Sequence, residues 1–361
     1  MENQSDSYFL LEPLGVWIEA YIAMKAAAMY FHPSQIAERN HERDLSEELQ
    51  PVESREFVEY LKSEGKVENV DRRVHQIRHL LARMETQNLL VSYYSLQQDM
   101  MLPKRYFCLA QPSKQRKKGA LWLSRVLGGR YIYEMISPAV VQIVGINSDG
   151  DSRAGSGIVF DPHHVLTCKH VVEDMRVNEK QHFQGAHVTI NRTVKHPSID
   201  VAVLSVVEEL RPTKGLVFFR PEVSQTIYRF GHGRVPNTKE LSAVQPTIER
   251  GEVTFSPKIT YDNSELFLYS AVSRPGDSGG PIVSDDGYVV GMTTTRLEET
   301  LETNREVSTD HPHYAAIPSD IITNAVKELD TSACIPYETF DDVHVEDEDD
   351  RPSESPSPCT S

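Results

Sequence analysis

Along the first third of the chain, apolar positions recur every three or four residues. Leu14–Tyr30 is rich in Ala, Met and Ile and has neither Pro nor Gly after Gly15, which predicts a helix. Ser54–Glu64 predicts a second helix, stopped by Gly65. Asp71–Thr86 predicts a third, with Val74, Ile77, Leu80, Leu81 and Met84 on one stripe. The period then shortens. Asn88–Ser95 and Arg105–Ala110 predict two strands joined by a polar turn, so helices followed by a hairpin give residues 1–110 a winged-helix-like pattern. Residues 111–134 predict an exposed basic connector (QPSKQRKK) and then a bridging helix over Leu121–Tyr133. From residue 135 to 332 the apolar residues come in short β-branched and aromatic runs separated by turns, which predicts an all-β sandwich or barrel. Residues 333–361 contain VEDEDDRPSESPSP, a run without apolar anchors that predicts disorder.

Composition narrows the classes. With 39% hydrophobic and 25% charged residues, the chain can bury a core. The net charge of -16 is unevenly spread: residues 1–130 are near neutral, and the acidic excess lies beyond them. Nucleic acid is therefore not an expected partner of the last two thirds. The most apolar stretch, Val16–Phe31, is short for a membrane span and is interrupted by Glu19 and Lys25. Four sparse cysteines and acidic residues near the N-terminus predict a reducing, cytoplasmic setting.

The candidate chemistry centres on Gly276-Asp277-Ser278-Gly279-Gly280-Pro281. A seryl hydroxyl needs a base to become a nucleophile. A glycine-flanked turn exposes that hydroxyl and frees the amides of Gly276 and Ser278 to form an oxyanion hole. Two more segments stand out: Leu166-Thr167-Cys168-Lys169-His170-Val171-Val172, and Ile199-Asp200 opening an apolar strand. Singly, a histidine or a strand-opening aspartate is most often structural. Together, in the order His, Asp, Ser, they resemble the trypsin/chymotrypsin-like peptidases, nearest the HtrA-like branch. Ser156-Gly157-Ile158-Val159, Arg229-Phe230-Gly231-His232-Gly233 and Ala316-Ile317-Pro318 add to that resemblance. It implies an all-β double barrel for residues 135–332, and with the mostly helical domain read from the apolar period of the first third it gives a multidomain α+β protein. It also implies a serine endopeptidase with His170, Asp200 and Ser278 as catalytic triad, acting on proteins or peptides without metal or cofactor.

The chain departs from the family in instructive places. No activation sequence precedes the domain, so Asp277 is expected to bond local amides or an internal cation. No cysteine partner for Cys168 follows His170, and no PDZ-like segment follows the protease. By position, Val272 and Ser273 belong near the base of the specificity pocket, Thr294, Thr295 and Arg296 to the strand that pairs with substrate, and Tyr314 to the opposite wall. No acid lies at the base, which predicts a small or medium apolar P1 residue. Arg72, Arg73, Arg78 and Arg83 cluster on or near the third helix, but Glu64, Glu68, Asp71 and Glu85 nearby predict a balanced, solvated face. Residues 1–130 are thus expected to dock a protein partner rather than nucleic acid. The competing readings are a catalytically silent protease-fold binding protein and a DNA-binding regulator with an attached protease.

Overall fold

The computed structural model describes residues 19–42, 50–93, 104–110, 112–234, 245–261, 264–297, 313–329 and 332–339. They fall into two units, one running to Pro112 and including Leu123–Tyr131, the other comprising Ser113–Trp122 and the chain from Ile132 onward.

The first unit contains α1 (Ala20–Tyr30), α2 (Pro33–Glu42), β1 (Val52–Glu53), α3 (Ser54–Glu64), α4 (Val74–Thr86), β2 (Leu90–Tyr93) and β3 (Arg105–Cys108). Gly65 turns left-handed at φ 61° and its N–H caps the Lys62 carbonyl, which ends α3 where the sequence predicts. The alanines of α1, with Ala23 and Ala27 fully buried, let it lie close to α3 and α4. Ile77, Leu80, Leu81 and Met84 bury one stripe of α4. The rings of Phe31, Phe57 and Tyr106 fill the space between helices and sheet. The strands order as β1-β3-β2, all antiparallel. A short strand and two helices are thus followed by a hairpin whose second strand returns to pair with the first strand.

The predicted connector and bridging helix take another form. The residues of α5 (Lys114–Lys117) include Arg116, which is buried: its guanidinium lies 3.8 Å over the Tyr288 ring and donates to the Asp286 carbonyl. The segment is therefore part of the second unit rather than an exposed linker. The bridging helix breaks into α6 (Ser124–Leu127) and α7 (Gly129–Ile136), because Gly128 sits at φ 84°, outside the helical region.

In the second unit, β4 (Val140–Ile146), β5 (Ser152–Asp161), β6 (His164–Thr167), β7 (Arg176–Val177), β8 (Lys180–Phe183), β9 (Ala186–Lys195) and β10 (Ala202–Val206) form a sheet of order β7-β4-β5-β6-β10-β9-β8, with the short helix α8 (Lys169–Glu173) after β6. This half departs from the expected closed barrel. Where β8 nears β4, the Gln181 side-chain amide stands in for a strand ladder, accepting from the Val144 N–H at 3.0 Å and donating to its carbonyl at 2.8 Å. The strands β11 (Thr226–Gly231), β12 (Thr247–Tyr261), β13 (Ser264–Tyr269), β14 (Pro281–Ser284), β15 (Val289–Leu297) and β16 (His313–Pro318) close into a barrel, followed by α9 (Ser319–Leu329). Residues 333–338, expected to be disordered, instead dock: Ala333 and Ile335 are buried, and Glu338 bonds Ser113 and the Phe218 carbonyl. Cys108 and Cys168 are free and buried, whereas Cys334 is disulfide-bonded, which the cysteine spacing did not predict.

Candidate active site

Strand register brings the first two candidate residues together. Thr167 at the end of β6 pairs with Ala202 at the start of β10, so the chain leaving one strand lies beside the chain entering the other. Cys168, in an extended conformation, leads into α8 and places His170 in its first turn. Asp200 Oδ2 meets His170 Nδ1 at 2.7 Å, and Oδ1 accepts the His170 backbone N–H at 2.9 Å. The Thr294 hydroxyl also donates to Oδ2. A ring nitrogen held against a carboxylate carries the proton, which leaves Nε2 as the free base. Burial alone would lower the His170 pKa, but the hydrogen bond and charge of Asp200 outweigh it and the net shift is upward. Burial would raise Asp200, and its bonds to His170 and Thr294 outweigh that, so its pKa falls.

Ser278 occupies the turn before β14. Gly276 adopts φ 100°, and a Cβ there would come within 2.6 Å of the His232 carbonyl oxygen. A Cβ at Gly280 would strike the Phe230 carbonyl oxygen at 2.0 Å. Ser156 braces the turn from below: its N–H donates to the Ser278 carbonyl at 2.8 Å and its hydroxyl to the Gly276 carbonyl at 2.7 Å. Among the described residues, the N–H groups of Gly276 and Ser278 donate to no protein acceptor. They suit an oxyanion. The Ser278 hydroxyl donates to the Thr294 carbonyl at 2.9 Å. Thr294 thus serves both sides of the site, its hydroxyl on Asp200 and its carbonyl on Ser278.

Asp277, beside the nucleophile, is fully buried and lies 2.7 Å from the equally buried Arg229. The approach is an ion contact rather than an aligned hydrogen bond. The carboxylate also accepts the Arg274 N–H at 2.7 Å. Burial pushes the Asp277 pKa up against the pull of Arg229. The sequence did not single out Arg229 for this role, though an arginine within the apolar run Thr226–Gly231 was a signal. His196, which the sequence offers as a rival base and places at the surface or in a pocket, is instead buried. At the turn before Asp200, it accepts the Ile199 N–H on Nδ1 at 2.9 Å and meets Glu328 through Nε2 at 3.0 Å.

His170 and Ser278 line one cleft of ≈ 980 Å³, together with Gly155, Gly276, Arg153 and Arg176. Val272, Ser273, Thr294 and Tyr314 do not line it. Val272 is exposed, and its carbonyl accepts from Arg229 Nε at 3.1 Å. Tyr314 packs its ring 6.0 Å from that of Tyr269, whose phenol is pushed up to about 12 by burial. The Arg296 backbone pairs with Tyr314, while the side chains of Thr295 and Arg296 lie outside the described residues. Cys168, His170 and Asp200 bring potential metal-donor atoms within 4.8 Å of one another. The imidazole and carboxylate are committed to each other, however, and the buried thiol donates to the Thr293 carbonyl at 3.2 Å. The Cys168 pKa stands well above the ordinary value, first because of burial.

The fold of the second unit is of the trypsin-like serine peptidase type. Residues 155–292 match the family described as the trypsin-like peptidase domain. It is 26% identical over 193 residues to "Serine protease Do-like HtrA" of Bacillus subtilis (strain 168), a match covering 46% of this chain. The chain thereby spans 42% of that relative's length. Among solved structures, it is similar to the active form of the Rv3671c protease of M. tuberculosis at 18% identity and TM-score 0.45, covering 56% of this chain and 86% of that one. It is also similar to the serine endoprotease of Yersinia pestis at 20% identity and TM-score 0.42, covering 55% and 64% respectively. Among the described residues, no helix is long and apolar enough to cross a membrane.

Proposed function

We propose that the chain is an endopeptidase that hydrolyses peptide bonds in proteins or peptides through an acyl-enzyme. The observation that carries this reading is the 2.7 Å contact of Asp200 with His170, in a cleft that His170 shares with Ser278. At the start of a cycle the Ser278 hydroxyl leaves the Thr294 carbonyl and turns to His170 Nε2, which takes its proton as Oγ attacks the scissile carbonyl. The Gly276 and Ser278 amides receive the oxyanion. The imidazolium, stabilised by Asp200, then protonates the leaving amine, and water returns the enzyme by the same route. Arg229 supplies the positive partner of Asp277 from within the fold, so ordering of the nucleophile turn needs no newly cut N-terminus.

By their positions relative to Ser278, we assign Val272, Ser273 and Tyr314 to a specificity pocket separate from that cleft, which favours a small or medium apolar P1 residue. Tyr314→Gly should extend cleavage in a peptide library to bulkier P1 residues, and an unchanged profile would remove Tyr314 from the pocket. The first unit acts as a docking module that governs access to substrate. The buried free thiols Cys108 and Cys168 support work inside the cell, while the Cys334 disulfide argues the other way. The central test is labelling with a fluorophosphonate probe. The wild type should be labelled and Ser278→Ala should not. Absence of labelling in the wild type, with and without added protein partners, would leave the protease-fold scaffold as the better reading.

A further inference from the structure

The structure changes the charge balance expected around α4. The sequence sets Glu64, Asp71 and Glu85 against the arginines nearby, but each of these acids is engaged by a lysine. Glu64 meets Lys66 at 2.8 Å, Asp71 meets Lys62 at 2.6 Å, and Glu85 meets Lys104 at 2.9 Å. Arg73 turns inward to Glu19. Glu68 precedes the helix and is exposed. Among the described residues, the guanidinium groups of Arg72, Arg78 and Arg83 meet no carboxylate, and all three are exposed.

Their placement around the helix is ordered. At 3.6 residues per turn, the buried stripe of Ile77, Leu80, Leu81 and Met84 faces one way. His75, His79, Ala82 and Thr86, all exposed, run along the centre of the opposite face. On α4, Arg78 flanks that strip on one side and Arg83 on the other, and Arg72 precedes the helix in the 3-10 turn Val70–Arg73. No acidic residue occurs between Arg72 and Met84. Residues 65–73, which include the 3-10 turn Val70–Arg73, separate the helix from α3, and the β2–β3 hairpin follows it.

We propose that this face of α4 binds duplex DNA. A helix about 10–12 Å across fits a major groove about 12 Å wide. Arginines on both flanks then reach the phosphates of the two strands, while the strip of His75, His79, Ala82 and Thr86 faces the base edges. Phosphate contacts of this kind supply affinity and position, and the central strip is where sequence preference would arise. A protein partner would more naturally meet a mixed or apolar face. The proposal is independent of the protease reading, because no residue of the triad takes part.

The test uses full-length Ser278→Ala, which cannot digest itself, and fluorescence anisotropy with a labelled duplex of mixed sequence. Binding should be evident at about 50 mM salt and weaken steeply towards about 200 mM. Combined Arg72→Ala, Arg78→Ala and Arg83→Ala should weaken binding at least ~10-fold and flatten the slope of log K against log salt by about 0.9 per lost phosphate contact. Arg55→Ala, on α3, serves as the control and should bind as the parent does, and circular dichroism should be unchanged in all variants. No binding at low salt, or equal binding by the folded triple variant, would overturn the proposal. Binding of a sulfated polysaccharide or an acidic peptide as tight as that of DNA, with the same sensitivity to the arginines, would overturn the assignment to DNA. Fluorophosphonate labelling of the wild type reports on the protease reading separately.

Discussion

Asp200 accepts from His170 twice and from Thr294 once, and these bonds set the basicity of the ring. Catalysis needs the neutral imidazole, and the His170 pKa is raised above 6.5. Activity should therefore be lost as pH falls through that raised value, and the acidic limb of kcat/KM should have its midpoint above 6.5. For stability the sign is opposite. The protonated pair contributes fully below the unfolded histidine value, and its contribution disappears as pH rises through the folded pKa. Thr294→Val removes a donor to a charged group, worth ~1.5–3 kcal/mol. Expressed in the transition state, that predicts a fall in kcat of roughly 10–100-fold with KM little changed. An unaltered kcat would return Thr294 to a purely structural role. Legibility at this scale was uneven. The Ser278 turn, His170 and Asp200 each sit in a distinctive local string. Thr294 reads in the sequence as a residue that pairs with substrate, yet its side chain acts on Asp200, because nothing in its neighbours encodes a partner 94 residues away.

Between elements, the nucleophile turn depends on an ion contact from β11. Arg229 and Asp277 are both fully buried, so removing either leaves an uncompensated charge in the barrel wall. Breaking such a pair costs ~3–5 kcal/mol. Arg229→Leu should lower the melting temperature markedly and slow fluorophosphonate labelling of Ser278. Pairing it with Asp277→Leu should recover much of the stability, since an apolar pair carries no stranded charge. If labelling in the Arg229→Leu protein kept the wild-type rate, the ion contact would have no part in ordering the oxyanion donors. At this scale the helices α3 and α4 were readable from apolar period and from Gly65. The bridging helix was not, because Gly128 interrupts a stretch whose composition otherwise favours helix. The first sheet's closure through the Gln181 amide, in place of strand pairing, was equally invisible: a side chain that replaces a ladder leaves no periodic trace.

The whole molecule comprises two units with their own buried cores, and calorimetry should resolve a transition for each. The connector offers a sharper check. Arg116 lies over Tyr288 and donates to the Asp286 carbonyl, so Arg116→Ala should lower the transition of the second unit and leave that of the first in place. A shift of the other transition, or of neither, would mean that this docking adds nothing to the second unit. The sequence by itself determined the helical period of the first unit, the β-rich character of the second, and the residue types and order of the candidate triad. Those are written in strings of a few residues, where backbone geometry and side-chain spacing act directly. Tertiary structure decided what those strings could not hold. It gave Asp277 its cation and Thr294 its place on Asp200, buried Arg116 and docked residues 333–338. Each of these depends on strand register and packing between distant segments, whose energies exist only once the chain has folded.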